Sequence, residues 1–262
     1  MVSPSRLSQF PAFHPGRWSQ KTVLRLISLL VFFGAWEIFG RLDSTLLLPP
    51  LSSVLEAFGE ILLDGSLIGA LAYSLQAWAV AFTICAVGGI WLGLMMARSQ
   101  FVERVANPYL DIILAAPTIA FIPLLVIWFG LGMAARVSVI FLYTFTLITV
   151  NAFAGIRGVD GGLIDMARSF GLSGRPLFWK VILPAAMPLI VAGLRLGAAR
   201  AFVGMVAADT VLVLVGIGAL IDYYNVTFRF PEMYASIAAV VLIAVAMAEL
   251  LAYLQRRAFP WA

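Results

Sequence analysis

Residues 165–184 read DMARSFGLSGRPLFWKVILP, a polar stretch in a chain of 262 residues that is 63% hydrophobic and 11% charged. Long apolar runs lie on both sides of it. Soluble domains carry about 25% charged residues. A membrane β-barrel would alternate polar and apolar residues in short segments, whereas these runs are continuous. The sequence therefore predicts an all-α membrane protein in which this stretch connects two spans.

Six apolar runs are long enough to cross a bilayer, which takes about 20 residues. They are residues 22–40, 70–97, 108–130, 136–155, 187–208 and 235–254. The third contains Pro117 and Pro123, so we expect it to be kinked or broken. No clear cleavage site follows the first run, which predicts a retained span and not a signal peptide. The predicted organisation is a tail (1–21), a transmembrane domain (22–257) and a second tail (258–262).

The 17 lysines and arginines predict the orientation of the spans. With the N-terminus inside, twelve lie on the inner side: Arg6, Arg17, Lys21, Arg25, Arg98, Arg104, Arg157, Arg168, Arg175, Lys180, Arg256 and Arg257. Three lie outside (Arg41, Arg136 and Arg229), and Arg195 and Arg200 fall within the fifth span. Because basic residues accumulate on the cytoplasmic side, both termini and residues 157–186 are predicted to be cytoplasmic. The net charge of +4 then reflects orientation, and no nucleic-acid partner is expected.

The first outer loop, about 41–69, contains LLLPPLSSVLEAFGEILLDG and favours a short amphipathic helix on the outer surface. Ser52 or Ser53 could cap this helix. Its apolar face would hold Leu55, Phe58, Ile61 and Leu62, and Glu56, Glu60 and Asp64 would face water. A packed loop is the alternative.

Residues 157–186, which we call the polar segment, have the pattern of two short helices joined by a turn. Asp165 and Arg168 are spaced to pair on the first helix, and Gly171 is a helix stop. Ser173 can cap a second helix that has Pro176 in its first turn. The segment carries more large apolar side chains than a solvated loop needs: Phe170, Leu172, Phe178 and Trp179.

Physical reasoning leaves two interpretations of the polar segment open. It is either an elbow at the lipid surface, anchored by Trp179 and Lys180, or a docking element for a soluble partner. In either case Pro184 and Pro188 are expected to punctuate the entry into the fifth span.

The spacing within the polar segment resembles the EAA loop of bacterial ABC importer permeases. That pattern is Glu-Ala-Ala, three residues, Gly, nine residues and Ile-x-Leu-Pro. Here Asp165, Met166 and Ala167 stand at the first three positions, Gly171 at the glycine, and residues 181–184 read VILP. The stretches at 122–132 (IPLLVIWFGLG), 151–171 and 183–209 also resemble the nitrate, sulfonate and taurine branch of these permeases.

The resemblance implies a type I ABC importer permease in the bacterial inner membrane. Its implied partners are a second permease copy, separate ATPase subunits inside, and a periplasmic or lipoprotein solute-binding protein outside. The implied coupling residues are Asp165, Ala167, Arg168, Phe170, Gly171, Leu172, Leu183 and Pro184. The implied solute is small and anionic or zwitterionic.

An enzymatic role is not expected of the chain itself. Its two lysines, Lys21 and Lys180, follow no glycine-rich P-loop, so ATP hydrolysis would fall to a partner. The lone His14 cannot build a catalytic triad or a metal site, and no cofactor is expected.

The fifth span carries charges deep in an apolar run, where an unpaired charge is costly. Arg195 and Asp209 are fourteen residues apart, close to four helical turns, and so lie on similar faces. With Arg200 they are candidates for a polar translocation pathway, and structural pairing with another span is the alternative. Small residues at Gly193, Gly197 and Ala201, and at Gly204 and Ala208, predict close helix contact at the dimer axis or within the bundle.

Two other classes of function remain open at this point. An ion-coupled secondary transporter would favour an internal repeat and paired carboxylates within the membrane. A membrane scaffold subunit without a transport role is the third class.

Overall fold

The structure, a computed structural model, describes residues 16–42, 47–212 and 215–258. The helices in chain order are α1 (Gly16–Leu42), α2 (Leu51–Leu63), α3 (Ser66–Arg98), α4 (Gln100–Ala115), α5 (Ile122–Phe129), α6 (Met133–Arg157), α7 (Gly161–Ser169), α8 (Gly174–Leu177), α9 (Leu183–Leu212), α10 (Ile217–Val226) and α11 (Phe230–Ala258). A 3₁₀ turn (Thr118–Phe121) precedes α5, and a π turn (Phe178–Ile182) joins α8 to α9.

The chain divides into two compact units, Met1–Glu56 and Ala57–Ala262. In the first unit, Glu37 of α1 binds the beginning of α2. Its carboxylate accepts the backbone N–H of Ser52 at 3.0 Å and the Ser52 hydroxyl at 2.9 Å. The Trp36 indole N–H donates to the carbonyl of Pro49 at 3.1 Å. These bonds fix the connection between the two helices, because they satisfy backbone groups at the start of α2.

The predicted spans agree with the helices of the described residues. Five of these helices are long and apolar enough to cross a membrane, and the pair α4 and α5 makes six if it counts as one broken span. The first helix starts at Gly16, so it extends into the predicted tail 1–21. Residues 1–15 and 259–262 of the predicted tails lie outside the described part.

The third predicted span is broken, as its prolines indicated. Helices α4 and α5 meet at an angle of 100°. The break falls at Ala116 and Pro117, whose backbones are extended. Pro123 instead occupies the first turn of α5, where its missing N–H costs no helical hydrogen bond.

The second unit is built around α6, which packs between α3 and α9. Glycines remove side chains at these contacts, and a Cβ on Gly193 would lie 2.4 Å from Asn151 Cβ. A Cβ on Gly197 would lie 2.6 Å from Ile148 Cγ1, and one on Gly93 of α3 would lie 2.7 Å from a backbone carbonyl of α6. The small residues of the fifth span therefore serve packing within the chain, one of the two predicted alternatives.

The amphipathic helix predicted in the first outer loop is present as α2, but its buried face differs from the prediction. Val54, Ala57 and Ile61 are buried, whereas Leu55 and Leu62 are exposed. The predicted serine cap is also wrong, because α2 begins at Leu51 and includes both serines. Val54 and Ala57 lie one position before the predicted Leu55 and Phe58, and Ile61 belongs to both faces. Two adjacent apolar faces fit the same helical spacing, so the sequence alone does not choose between them. Glu56, Glu60 and Asp64 are exposed, as predicted.

Candidate functional site

The polar segment begins with α7, whose two ends are fixed by local hydrogen bonds. The side chain of Asp160 caps its start by accepting the Gly162 N–H at 2.7 Å. At its end, Gly171 takes a left-handed conformation with φ +83°. Its N–H bonds the Arg168 carbonyl at 2.8 Å, and the Leu172 N–H bonds the carbonyl of Ala167 at 3.1 Å. This pair of bonds is a Schellman motif, so the predicted helix stop at Gly171 is confirmed.

The apolar residues of the polar segment divide between two surfaces. Ala167, Leu177 and Phe178 are buried, and the guanidinium carbon of Arg98 lies 3.8 Å from the centre of the Phe178 ring. The outward residues are Met166, Phe170 and Trp179, and the exposed fraction of Phe170 is 80%. The segment thus has one face held against the helix bundle and one apolar face without a partner in the described chain.

The exposed face also carries the predicted ion pair of Asp165 and Arg168. Their nearest side-chain atoms are 3.4 Å apart, and both side chains are more than half exposed. Leu172, the other candidate for contact with a partner, is only partly exposed. Phe170 is therefore the better placed of the two apolar candidates.

The prolines at the start of the fifth span do not interrupt it. Residues Gly174–Leu212 run as 39 continuous helical residues. The π turn before Pro184 lets the Leu183 N–H reach the Phe178 carbonyl, five residues back. Pro184 lacks the N–H that a regular helix would need there, and the wider turn absorbs this defect. Ser173 precedes α8 as predicted, although its side chain forms no capping hydrogen bond.

A buried cluster of charged and polar groups joins four helices at the other end of α9. Asp209 of α9 is 1% exposed and Arg136 of α6 is 2% exposed. The Arg136 guanidinium donates to one carboxylate oxygen of Asp209 through Nη2 and, at 2.7 Å, through Nε. The second oxygen accepts the hydroxyl of Ser74 from α3, and that hydroxyl accepts the Ile217 N–H at the start of α10 at 2.8 Å. We call these residues the Arg136–Asp209 cluster.

Gly216 closes the Arg136–Asp209 cluster. Its φ is +103°, which a residue with a side chain rarely adopts. A Cβ at this position would lie 2.5 Å from Asp209 Oδ2 and 2.7 Å from Ser74 Oγ. Only a glycine fits between the carboxylate and the beginning of α10.

The three predicted pathway residues occupy two different environments. Asp209 is enclosed and paired with Arg136, whereas Arg195 and Arg200 are exposed on α9. The expected common face of Arg195 and Asp209 therefore does not bring them together. Neither Arg195 nor Arg200 forms a salt bridge with any residue that the structure describes.

Sequence reasoning missed Arg136 and Ser74 as partners of Asp209. Arg136 was counted as a charge of the outer loop, yet it lies in the first turn of α6. The sequence contained a signal for this pair. Arg136 starts the fourth apolar run and Asp209 follows the end of the fifth, and both lie at the same predicted side of the membrane. Opposite charges at matching depth in neighbouring spans predict a pair.

Comparisons with known proteins agree with this architecture. Residues 89–260 match the family described as binding-protein-dependent transport system inner membrane component. The chain belongs to this family. It is 32% identical over 254 residues to the taurine transport system permease protein TauC of Escherichia coli (strain K12), covering 94% of this chain and 92% of that protein.

A second relative is the putative aliphatic sulfonates transport permease protein SsuC of Bacillus subtilis (strain 168). It is 29% identical, with 94% of this chain and 90% of that protein covered. A crystal structure of an amino acid ABC transporter superposes with a TM-score of 0.65, 23% identity and coverage of 76% of this chain and 97% of that one, which shows the shared fold. The chain is thus an ABC importer permease of the taurine and sulfonate branch, a multi-pass membrane protein.

Proposed function

We propose that this permease forms the translocation pathway of an ATP-driven importer in the bacterial inner membrane, with the polar segment on the cytoplasmic side as the docking element for a separate ATPase. A solute-binding protein delivers a small anionic or zwitterionic solute from the outside. The lysine and arginine distribution supports this orientation, since twelve of 17 lie on one predicted side.

The observation that carries the proposal is that the polar segment has one face packed against the helix bundle and one exposed apolar face. The buried face, with Phe178 against Arg98, ties the segment to the end of α3. The opposite face exposes Phe170 and Trp179 beside the Asp165–Arg168 pair. An aromatic anchor surrounded by charges is the usual composition of a protein docking site. A segment anchored on one face can transmit the motion of a partner bound to the other.

A second permease copy completes the proposed pathway. Arg195 and Arg200 lie at the two edges of an exposed stripe of α9 that also holds Leu196, Ala199 and Val203. Unpaired arginines do not face lipid without a cost of at least a few kcal/mol. We expect this stripe to border an aqueous pathway between two copies. Cross-linking of single cysteines placed at position 199 in a Cys85→Ser background tests this, and a transport-competent monomer would contradict it.

Gly171→Val tests the docking role. No atom lies within 4 Å of the added Cβ, so the substitution acts through the positive φ alone. A β-branched residue opposes that conformation by about 1–2 kcal/mol and re-aims Phe170 relative to α8. We expect normal membrane levels, weaker co-purification of the ATPase and loss of uptake.

Gly171→Asn is the matched control, because asparagine tolerates the left-handed conformation and ends helices in the same motif. It should retain most ATPase attachment. Wild-type co-purification and uptake for Gly171→Val would refute the docking role and leave the polar segment as an elbow at the membrane surface.

A further inference from the structure

Helix α10 ends in the same hydrogen-bond motif as α7, but with a phenylalanine where α7 has Gly171. The Phe228 N–H bonds the Asn225 carbonyl at 3.2 Å. The next N–H, that of Arg229, bonds the carbonyl of Tyr224 at 2.9 Å. The φ of Phe228 is +57°, and among the described residues no other residue except glycine has a positive φ. Because this conformation strains a bulky residue, glycine would suit the backbone better at this position.

The ring of Phe228 contributes little to the packing of the fold. Its residue is 77% exposed, and the centre of its ring lies 6.0 Å from that of Phe230. The chain therefore keeps a strained backbone in order to present an apolar ring to the outside. Strained residues of this kind cluster where a protein meets a ligand or a partner.

A pocket of about 400 Å³ lies beside this turn, between the beginning of α3 and α10. Gly69 and Ala70 line it from α3, and Leu220 and Tyr223 line it from α10. None of the described residues that line the pocket is charged. Helix α3 is about 49 Å long, which exceeds a hydrocarbon core of about 30 Å, so its first turns extend beyond the core. The pocket thus lies at the predicted outer end of the bundle.

The predicted outer end of the second unit is acidic. Its stretches 57–69, 130–137 and 209–232 hold five acidic residues and two arginines, which gives a net charge of −3. Both arginines already form ion pairs within the chain. The acidic residues that form no salt bridge with a described residue are Glu60, Asp64 and Asp222.

Asp64 brings this charge to the edge of the pocket. Its carboxylate accepts the Ser66 N–H at 2.8 Å, at the beginning of α3. It also interacts electrostatically with Arg229, the residue after Phe228. The pocket and the exposed ring therefore share an acidic rim.

The charge of this rim selects the kind of partner that fits the surface. A second copy bound through the same surface would bring identical acidic residues face to face. Anionic lipid headgroups would be repelled in the same way. A soluble protein that places an apolar side chain in the pocket and basic residues around it would match both the shape and the charge.

We propose that Phe228 and the pocket beside it form the docking surface for the solute-binding protein, which contacts them with an apolar side chain surrounded by basic residues. The assignment rests on the proposed import function and names the place where its outer partner binds. The pocket wall includes Gly216, which closes the Arg136–Asp209 cluster, and Tyr73, whose ring centre lies 4.3 Å from the Arg136 guanidinium carbon. A side chain in the pocket would therefore contact the junction that holds α10 to α3.

Photo-cross-linking in intact cells tests the location. Benzoylphenylalanine replaces Tyr223, and the cross-linked product is identified by mass spectrometry. Leu131 is the matched control position, because it is exposed at the same predicted side and does not line the pocket. We expect position 223 to trap a solute-binding protein and position 131 to trap none. A product with lipid or a second permease only, or no product at position 223, would overturn the docking surface.

Phe228→Gly separates docking from folding. The trapped binding protein is purified, and its affinity for the permease–ATPase complex in nanodiscs is measured by biolayer interferometry. We expect an affinity at least about tenfold weaker, because an aromatic anchor is lost. The unfolding temperature should stay the same or rise, since glycine takes a positive φ without strain. Leu131→Ala should change the affinity less than about twofold. Unchanged affinity in Phe228→Gly would contradict the proposal, and a lower unfolding temperature with it would assign the ring to packing.

The double variant Glu60→Gln/Asp64→Asn tests the charge of the partner. Asparagine at residue 64 can still accept the Ser66 N–H, so the beginning of α3 should remain intact. We expect association with the binding protein to slow several-fold at low salt and to depend less on ionic strength. An unchanged association rate would refute a basic partner surface.

Attachment of the ATPase is scored in the same preparations. Loss of attachment in the wild type would refute the proposed function. Intact attachment with a binding protein trapped only at position 131 would refute this docking surface alone.

Discussion

The two ends of the long helix Gly174–Leu212 use ion pairs in opposite ways. In α7, just before this helix begins, Asp165 and Arg168 are exposed, 3.4 Å apart and separated by one helical turn. Near Asp209, the pair with Arg136 is almost fully enclosed and links residues 73 positions apart. Exposed pairs contribute about 0–1 kcal/mol, whereas breaking a buried pair from one side costs about 3–5 kcal/mol. The exposed pair is open to a partner, as the proposed docking role requires, whereas the buried pair holds helices of the bundle together.

The largest expected effect comes from Asp209→Ala. It leaves the Arg136 guanidinium buried without its counter-ion and frees the Ser74 hydroxyl, so we expect a loss of about 3–5 kcal/mol of stability. The measurement is thermal unfolding of the purified protein in detergent together with membrane abundance. The double variant Arg136→Met/Asp209→Leu should recover much of the loss, since no charge then remains buried. If the single variant unfolds like the wild type, the cluster does not hold the four helices together.

Gly216→Ala should follow in magnitude. The new Cβ meets Asp209 Oδ2 at 2.5 Å and imposes a side chain on a φ of +103°. Crowding and backbone strain together cost about 2–4 kcal/mol. Gly130→Ala is the control, because its φ is also positive at +72° while its Cβ meets no atom within 4 Å. Equal unfolding temperatures for the two variants would show that only backbone strain matters at residue 216.

Glu103→Ala tests an intermediate environment. Glu103 of α4 accepts a 2.8 Å bond from Arg157 at the end of α6, and the two side chains are 22% and 49% exposed. We expect destabilisation of less than about 1 kcal/mol, read from the same unfolding experiment. A loss of stability as large as that of Asp209→Ala would mean that the contribution of an ion pair in this protein depends on the sequence separation of its residues and not on their burial.

Asp165→Ala should have the smallest effect. Its side chain is 77% exposed, so stability should change by less than about 1 kcal/mol. Co-purification of the ATPase should fall, but less than in Gly171→Val, because the helix stop and Phe170 stay in place. Arg175→Ala, another exposed charge of the polar segment, is the control. A similar fall in both variants would indicate a general charge effect and not a specific contact of Asp165.

The fold could be predicted from the sequence largely because apolar runs and prolines act locally. The broken third span and the stop at Gly171 follow from backbone chemistry within a few residues. The Arg136–Asp209 pair could not be read in that way, since it depends on which spans are neighbours. Pro184 was expected to punctuate the entry into the fifth span, but the helix continues through it. The π turn before it accommodates the missing N–H, and residue spacing does not reveal such a turn.

The glycine contacts between α6 and α9 restrict how the protein can move. The side chain of Asn151 packs against Gly193, and that of Ile148 packs against Gly197 one helical turn further along α9. Sliding one helix along the other would require a shift of a full turn, about 5.4 Å, so that the side chains of Asn151 and Ile148 pass out of these contacts. Relative translation is therefore blocked, and the low-energy degrees of freedom lie in joints such as the break at Pro117. Spin labels on α6 and α9 should keep one separation through the ATP cycle, while the separation of labels on α4 and α6 changes.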